Sequence, residues 1–171
     1  MSKDKRIKLT KVDMKSILEE MAADRKKRAT SAEERKTQLS RAVKPLGITS
    51  IKVDFSGCGD SGQVDEVRYF GGKKEIKDLE TIKKTIVVEA SIPNTTTWSE
   101  AKKEWVSTTK SPTIEELVEQ ICYDLLGANH GGWEINEGSY GMFEFVFGNK
   151  NKIDLTFNQR IESVETSEES Y

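Results

Sequence analysis

The alternation of apolar and polar positions divides the chain at Gly47. Before it, Val12, Met14, Ile17, Leu18 and Met21 recur at spacings of three and four, which predicts an amphipathic helix. The stripe fades through Asp24-Arg25-Lys26-Lys27-Arg28 and Glu33-Glu34-Arg35-Lys36, good helix formers with only alanines as apolar neighbours. Ser31 followed by Glu34 fits a capping box and predicts a break near Ala29–Thr30, so the segment reads as one long helix or a helical pair. Leu39, Val43 and Leu46 close it, and Pro45 stops the helix by about Lys44.

Beyond Gly47 the period changes to two. Ile51, Val53 and Phe55 alternate with Lys52 and Asp54 as a half-buried strand requires. A glycine-rich turn at 56–62 leads to a returning strand with a bulge over Gln63–Phe70, ended by Gly71-Gly72. A charged connection follows, with a short helix around Lys77–Lys83. Ile86, Val88, Ala90 and Ile92 then alternate as a further strand. The polar stretch Asn94–Lys110, interrupted by Trp98 and Trp105, reads as an irregular excursion with one helical turn at Ser99–Val106. The clearest helix spans 111–127. Ser111 is its expected N-cap and Pro112 its first residue, Ile114, Leu117, Val118, Ile121, Leu125 and Leu126 form its apolar stripe, and Gly127 is its stop. Three more strands are expected at Trp133–Asn136, Gly141–Phe147 and Lys152–Asn158. The order of elements predicts an α+β fold with an antiparallel sheet of about five to six strands covered by the 111–127 helix. The chain divides into a basic helical region over 1–46, a core domain over 47–162 and an acidic tail over 163–171 whose far end frays.

Charge changes the picture in one respect. The net charge of −2 conceals 14 basic and 7 acidic residues before residue 45, against 13 basic and 22 acidic after it. The basic region, residues 5–44, is a candidate nucleic-acid arm. The competing expectation is that it packs on its own acidic domain, which would repel a duplex. No run is long and apolar enough to span a membrane, and the charged N-terminus leads to no secretory core. Two cysteines, Cys58 and Cys122, form neither a disulfide framework nor a zinc motif, which suits a reducing cytoplasm.

Two polar segments carry the candidate chemistry. Ser56-Gly57-Cys58-Gly59-Asp60-Ser61-Gly62-Gln63 is neither a Walker loop nor an EF-hand, and its plain reading is a tight hairpin. Asn129-His130-Gly131-Gly132-Trp133-Glu134-Ile135-Asn136-Glu137-Gly138 holds the single histidine of the chain. His130 is a candidate helix C-terminal cap, or a general base oriented by a carboxylate. Asp60, His130, Glu134 and Asp154 form a candidate oxygen-rich site for magnesium, manganese or calcium, although no cofactor is required by the pattern. With Ile153, Leu155 and Phe157 turned inward, Asp154, Thr156, Asn158 and Arg160 share the opposite face.

Together the segments Phe55–Val64, His130–Gly138 with Gly141 and Phe143, and Ile153–Arg160 resemble a family of uncharacterised bacterial and bacteriophage proteins. That family is marked by S-G-x-G-D-S-G, H-x-G-W-E-x-N-x-G and a closing strand with a D-x-N-x-R-like pattern. The resemblance covers roughly residues 48–165 and leaves the basic N-terminal region outside. It implies a shared polar site and a small regulatory protein of host-interaction or anti-defence type, without naming a reaction. The expected function is protein binding through Asp60, Ser61, Gln63, His130, Trp133, Glu134, Asn136, Asn158 and Arg160. A divalent-metal hydrolase and a nucleic-acid binder are the alternatives. All of this rests on the two glycine-bearing bends meeting at one end of the sheet.

Overall fold

A computed structural model describes residues 11–163 and 165–169. Helix α1 (Lys11–Val43) runs unbroken through Ala29 and Thr30, so the expected break does not occur. Ser31 and Glu34 are helical like their neighbours, and Asp24–Arg28 at 2.7 Å bonds across the turn just before them. A 3₁₀ turn at Lys44–Leu46, with Pro45, and left-handed Gly47 end the helix, as the sequence indicates.

The main sheet holds β1 (Ser50–Cys58), β2 (Ser61–Gly71), β3 (Lys74–Glu75), β6 (Ser139–Val146) and β7 (Lys152–Gln159), in the order β3-β2-β1-β6-β7, all antiparallel. The expected bulge falls where the β1–β2 register shifts between Asp54 and Phe55. Ile51, Val53, Phe55, Phe143 and Phe145 are buried on one face of this sheet, and Ile153, Leu155 and Phe157 pack at its margin. The other face is wet and laced with charge, where Arg68 bonds Asp54 and Lys52 lies 3.4 Å from Glu144.

Helix α3 (Ile114–Asn129) covers the apolar face with Ile114, Leu117, Val118, Ile121 and Leu126. Its N-cap is Thr113, two residues later than Ser111. The Thr113 hydroxyl accepts the Glu116 N–H and the Glu116 carboxylate accepts the Thr113 N–H, so the reciprocal pair outcompetes the serine–proline start. Nor does α3 stop at Gly127, because that glycine is where Arg28 of α1 crosses the helix. The second half of α1 lies along α3, burying Ala32, Leu39 and Val43, and Arg35 bonds the buried carboxylate of Asp124. The first half does not pack there. Met14, Ile17, Leu18 and Met21 are 47, 38, 59 and 48 % exposed.

Two further strand expectations fail for identifiable reasons. Residues 86–91 form no strand. Val87 and Ala90 turn inward, Val88 is 80 % exposed, and the Val87 N–H donates to Pro112 O while that of Ala90 donates back to Val87 O. Residues 133–136 form turns, with the N–H groups of Trp133 and Ile135 bonded to the carbonyls of His130 and Gly132. The stretch read as irregular is instead a two-stranded hairpin, β4 (Ile92–Ser99) and β5 (Glu104–Lys110), with Trp98 opposite Trp105. Its threonines favour a strand, and polar outward positions on both faces hid its period. The short helix α2 spans Glu80–Lys84.

Candidate functional site

The two glycine-bearing bends meet. Gly59 and Asp60 make a two-residue hairpin turn between β1 and β2 with φ of 60° and 77°, the left-handed pair that such a turn requires. The 130–138 segment docks on this turn through its backbone. The Gly59 N–H donates to Asn136 O at 2.8 Å and the Asp60 N–H to Glu134 O at 3.1 Å. Trp133 then lies against Gly57 and Gly62, which face each other across the hairpin. A Cβ at Gly62 would stand 2.2 Å from the indole, so the missing side chains form the slot that takes the ring. Phe55 closes the slot edge-on, its centroid 5.6 Å away. Gly138 seals the far end, with φ 67° and room for no Cβ, since one would sit 1.9 Å from Gly57 O.

Arg160, just past β7, binds the assembly together. Its Nη1 donates to Gly57 O at 2.7 Å, Ser139 O at 3.2 Å and Glu137 O at 3.3 Å, and its guanidinium lies 5.0 Å above the Tyr140 ring. One guanidinium therefore donates to carbonyls of both bends and of the first residue of β6. Ser139, buried, donates to Trp133 O at 2.7 Å. Much of the motif is thus consumed in holding two loops together.

What remains is presented to a cleft of about 590 Å³ between this junction and the two long helices. Asp60, Ser61, Trp133 and Glu134 line it, joined by Asp24 and Arg28 from α1 and Tyr123 from α3. Tyr123 Oη accepts the Val64 N–H at 3.2 Å, and the Arg28 guanidinium is held charged chiefly by its bond to Asp24. The Glu134 Oε2 is shut away from solvent with no hydrogen-bond partner among the described residues.

The other expected site residues stand elsewhere. His130 is the C-cap of α3 through its backbone N–H, bonded to Leu126 O, and its ring stacks on Phe157 at 3.8 Å. The imidazole therefore neither caps the helix nor lines the cleft. Asn136 is exposed, with φ 58° and its carbonyl engaged by the hairpin turn. Gln63 bonds Asp65 and borders, with Arg160 and exposed Cys58, a separate recess of about 270 Å³. Asn158 reaches Tyr140 O. Asp154 lies mid-strand in β7, opposite Glu144 and 2.8 Å from Lys152. Of the proposed metal ligands only Asp60 and Glu134 share the cleft, and no three His, Cys, Asp or Glu side chains among the described residues are gathered to hold a metal ion.

Asp24, Arg28 and Tyr123 escaped the sequence reading because they lie on helices far from either motif. The available signal was Gly127, a glycine inside an apolar helical stripe, which marks close approach by another element.

Fold and site define an α+β protein built around a glycine-locked loop junction at one end of an antiparallel sheet. Residues 31–171 match the family of unknown function DUF6878, and the chain belongs to that family. The match takes in residues 31–46, which the motif resemblance leaves out, and it begins where α1 first becomes buried. No curated protein and no solved structure matches the chain. Among the described residues no helix is long and apolar enough to cross a membrane.

Proposed function

We propose that the protein is a binding module that takes a positively charged, hydrogen-bond-donating side chain of a protein partner into the cleft beside the loop junction. The observation that carries this reading is the pair of carboxylates lining the cleft, Glu134, one of whose oxygens has no partner among the described residues, and the exposed Asp60 on the adjoining turn. A carboxylate that keeps an unmet acceptor favours an incoming guanidinium or ammonium, and charge-assisted bonds of this kind are among the stronger ones. Arg28 is already engaged by Asp24, so it leaves Asp60 and Glu134 to the ligand. The stacked His130 and the dispersed acids support recognition over acid–base or metal chemistry. The motif resemblance supports a bacterial or bacteriophage setting and a regulatory role of host-interaction or anti-defence type, and the two free cysteines suit a cytoplasmic location.

Titration with N-acetyl-arginine amide, followed by amide chemical shifts, tests this. Shifts are expected at Asp60, Ser61, Gly131 and Glu134, with Glu134→Gln weakening binding about tenfold, equivalent to about 1.4 kcal/mol. Shifts confined to other surfaces, or none at millimolar ligand, would overturn it.

A further inference from the structure

Gln63, Asn158 and Arg160 belong to the sequence motifs, yet none of them lines the cleft. All three lie on the wet face of the main sheet, at the end nearest the loop junction. The register sets Gln63, Ser56, Tyr140 and Asn158 side by side across four strands, with Arg160 two residues past Asn158. Elsewhere on that face the cations are paired: Arg68 with Asp54 and Glu66, Lys52 with Glu144, and Lys152 with Asp154. Arg160 is different. Its bonds go to neutral carbonyls, and no carboxylate pairs with it among the described residues.

The guanidinium is held in place before any ligand arrives. Nη1 is engaged by the carbonyls of Gly57, Glu137 and Ser139, and the group lies 5.0 Å over the Tyr140 ring. Nε and Nη2, which share one edge of the plane, have no partner among the described residues. Arg160 lines the recess of about 270 Å³ together with Ser56, Cys58, Ser61 and Gln63. Because Gly57 turns toward Trp133, the alternation of β1 directs Ser56 and Cys58 to the opposite, wet face.

We propose that this recess is a second binding site, one that takes a carboxylate on the Nε and Nη2 edge of Arg160, with further bonds from the hydroxyls of Ser56 and Ser61. Three features select that chemistry. Two parallel N–H groups on one planar edge match the two oxygens of a planar carboxylate. The other polar groups around the recess are neutral donors: two hydroxyls and one amide hydrogen of Gln63, whose Nε2 already donates to Asp65 at 3.1 Å. A single cation, with Asp65 close by and Glu162 two residues further along the chain, suits one negative charge and disfavours the nearly double charge of a phosphate monoester. A peptide C-terminus and a free small acid offer this same group.

Titration of the full chain with acetate, the bare carboxylate, and with N-acetyl-glycine, the carboxylate of a chain end, reads the Arg160 Nε–H resonance directly. That resonance is expected to move and to saturate in the millimolar range, with amide shifts at Ser56 and Gln63, while the exposed Arg25 stays where it is. Tighter binding of N-acetyl-glycine than of acetate assigns the site to a chain terminus, and equal binding assigns it to a free acid. Arg160→Lys keeps the charge and loses the planar edge, so binding is expected to weaken about fivefold or more. Gln63→Glu touches none of the carbonyl bonds of Arg160 and is expected to weaken binding about tenfold through like charge, whether or not Arg160→Lys folds. An Arg160 resonance that does not respond, one that moves no more than that of Arg25, or binding unchanged in Gln63→Glu would overturn the proposal. N-acetyl-arginine amide has no carboxylate and is expected to leave the Arg160 resonance in place, so this site and the cleft stand or fall separately.

Discussion

Two of the molecule's antiparallel hairpins, β1–β2 and β4–β5, are stabilised in opposite ways. In β1–β2 the facing pair near the turn is Gly57 and Gly62, and the ring that covers them, Trp133, comes from a loop some seventy residues away. In β4–β5 the facing pair is Trp98 and Trp105, which cover each other edge-on at 5.7 Å and remain exposed. The first hairpin cannot complete its turn region without the rest of the fold. The second supplies its own contact and leaves the fold almost indifferent to its tip. A cross-strand aromatic pair therefore makes an appendage, whereas a cross-strand glycine pair makes a junction.

The sharpest way to break this contrast is to fill the slot. Gly62→Ala places a methyl within the van der Waals envelope of Trp133 and is expected to cost roughly 3 kcal/mol in urea unfolding. Trp133→Ala is expected to cost a similar amount by emptying the slot. The informative measurement is the double variant, which should be more stable than the two single costs added together, because the new methyl then has room. Additive costs would mean that the ring does not depend on the glycines.

On the other hairpin, Trp105→Ala is expected to lower global stability by about 1 kcal/mol or less, with loss of the exciton couplet of the Trp pair as its main signature. A cost matching that of Trp133→Ala would erase the distinction.

The smallest effect concerns pH. Glu116, which links Lys110 at the end of the exposed hairpin to the start of α3, is held below the ordinary carboxylate range by Lys110 and by the Thr113 N–H. Its folded value lies below its unfolded one, so its contribution is complete above the unfolded value and is lost as pH falls through the folded one. Glu119 has the opposite sign, raised by burial and by Glu115 and Glu116, so its contribution fades as pH rises. Glu116→Gln keeps the bond to the Thr113 N–H, so it should flatten the acid limb of the stability profile and cost only about 0.5 kcal/mol or less at neutral pH. Glu119→Gln should instead raise neutral-pH stability.

The contrast also explains what could be read from the sequence. Strands β1, β6 and β7 and helix α3 were legible because each has one buried and one wet face, and such faces leave a period. The β4–β5 hairpin was not, because Thr95, Thr96, Thr97, Ser107, Thr108 and Thr109 are exposed on both faces and leave none. The junction was legible as an oddity of composition, and the expectation that its two bends meet proved right. Its purpose was hidden, because what Gly62 must make room for is written at Trp133. The same holds for α1. Its apolar stripe is plain in the sequence, but whether anything lies beneath it depends on where α3 ends.

That α1 is one uninterrupted rod has a mechanical consequence. A stiff helix about 50 Å long, anchored over its second half by Leu39, Val43 and the Arg35–Asp124 pair, works as a lever with its fulcrum near Gly127. A modest sideways push at the Met14 end would swing Asp24 at the mouth of the cleft about Arg28 at the pivot, while the sheet stays still.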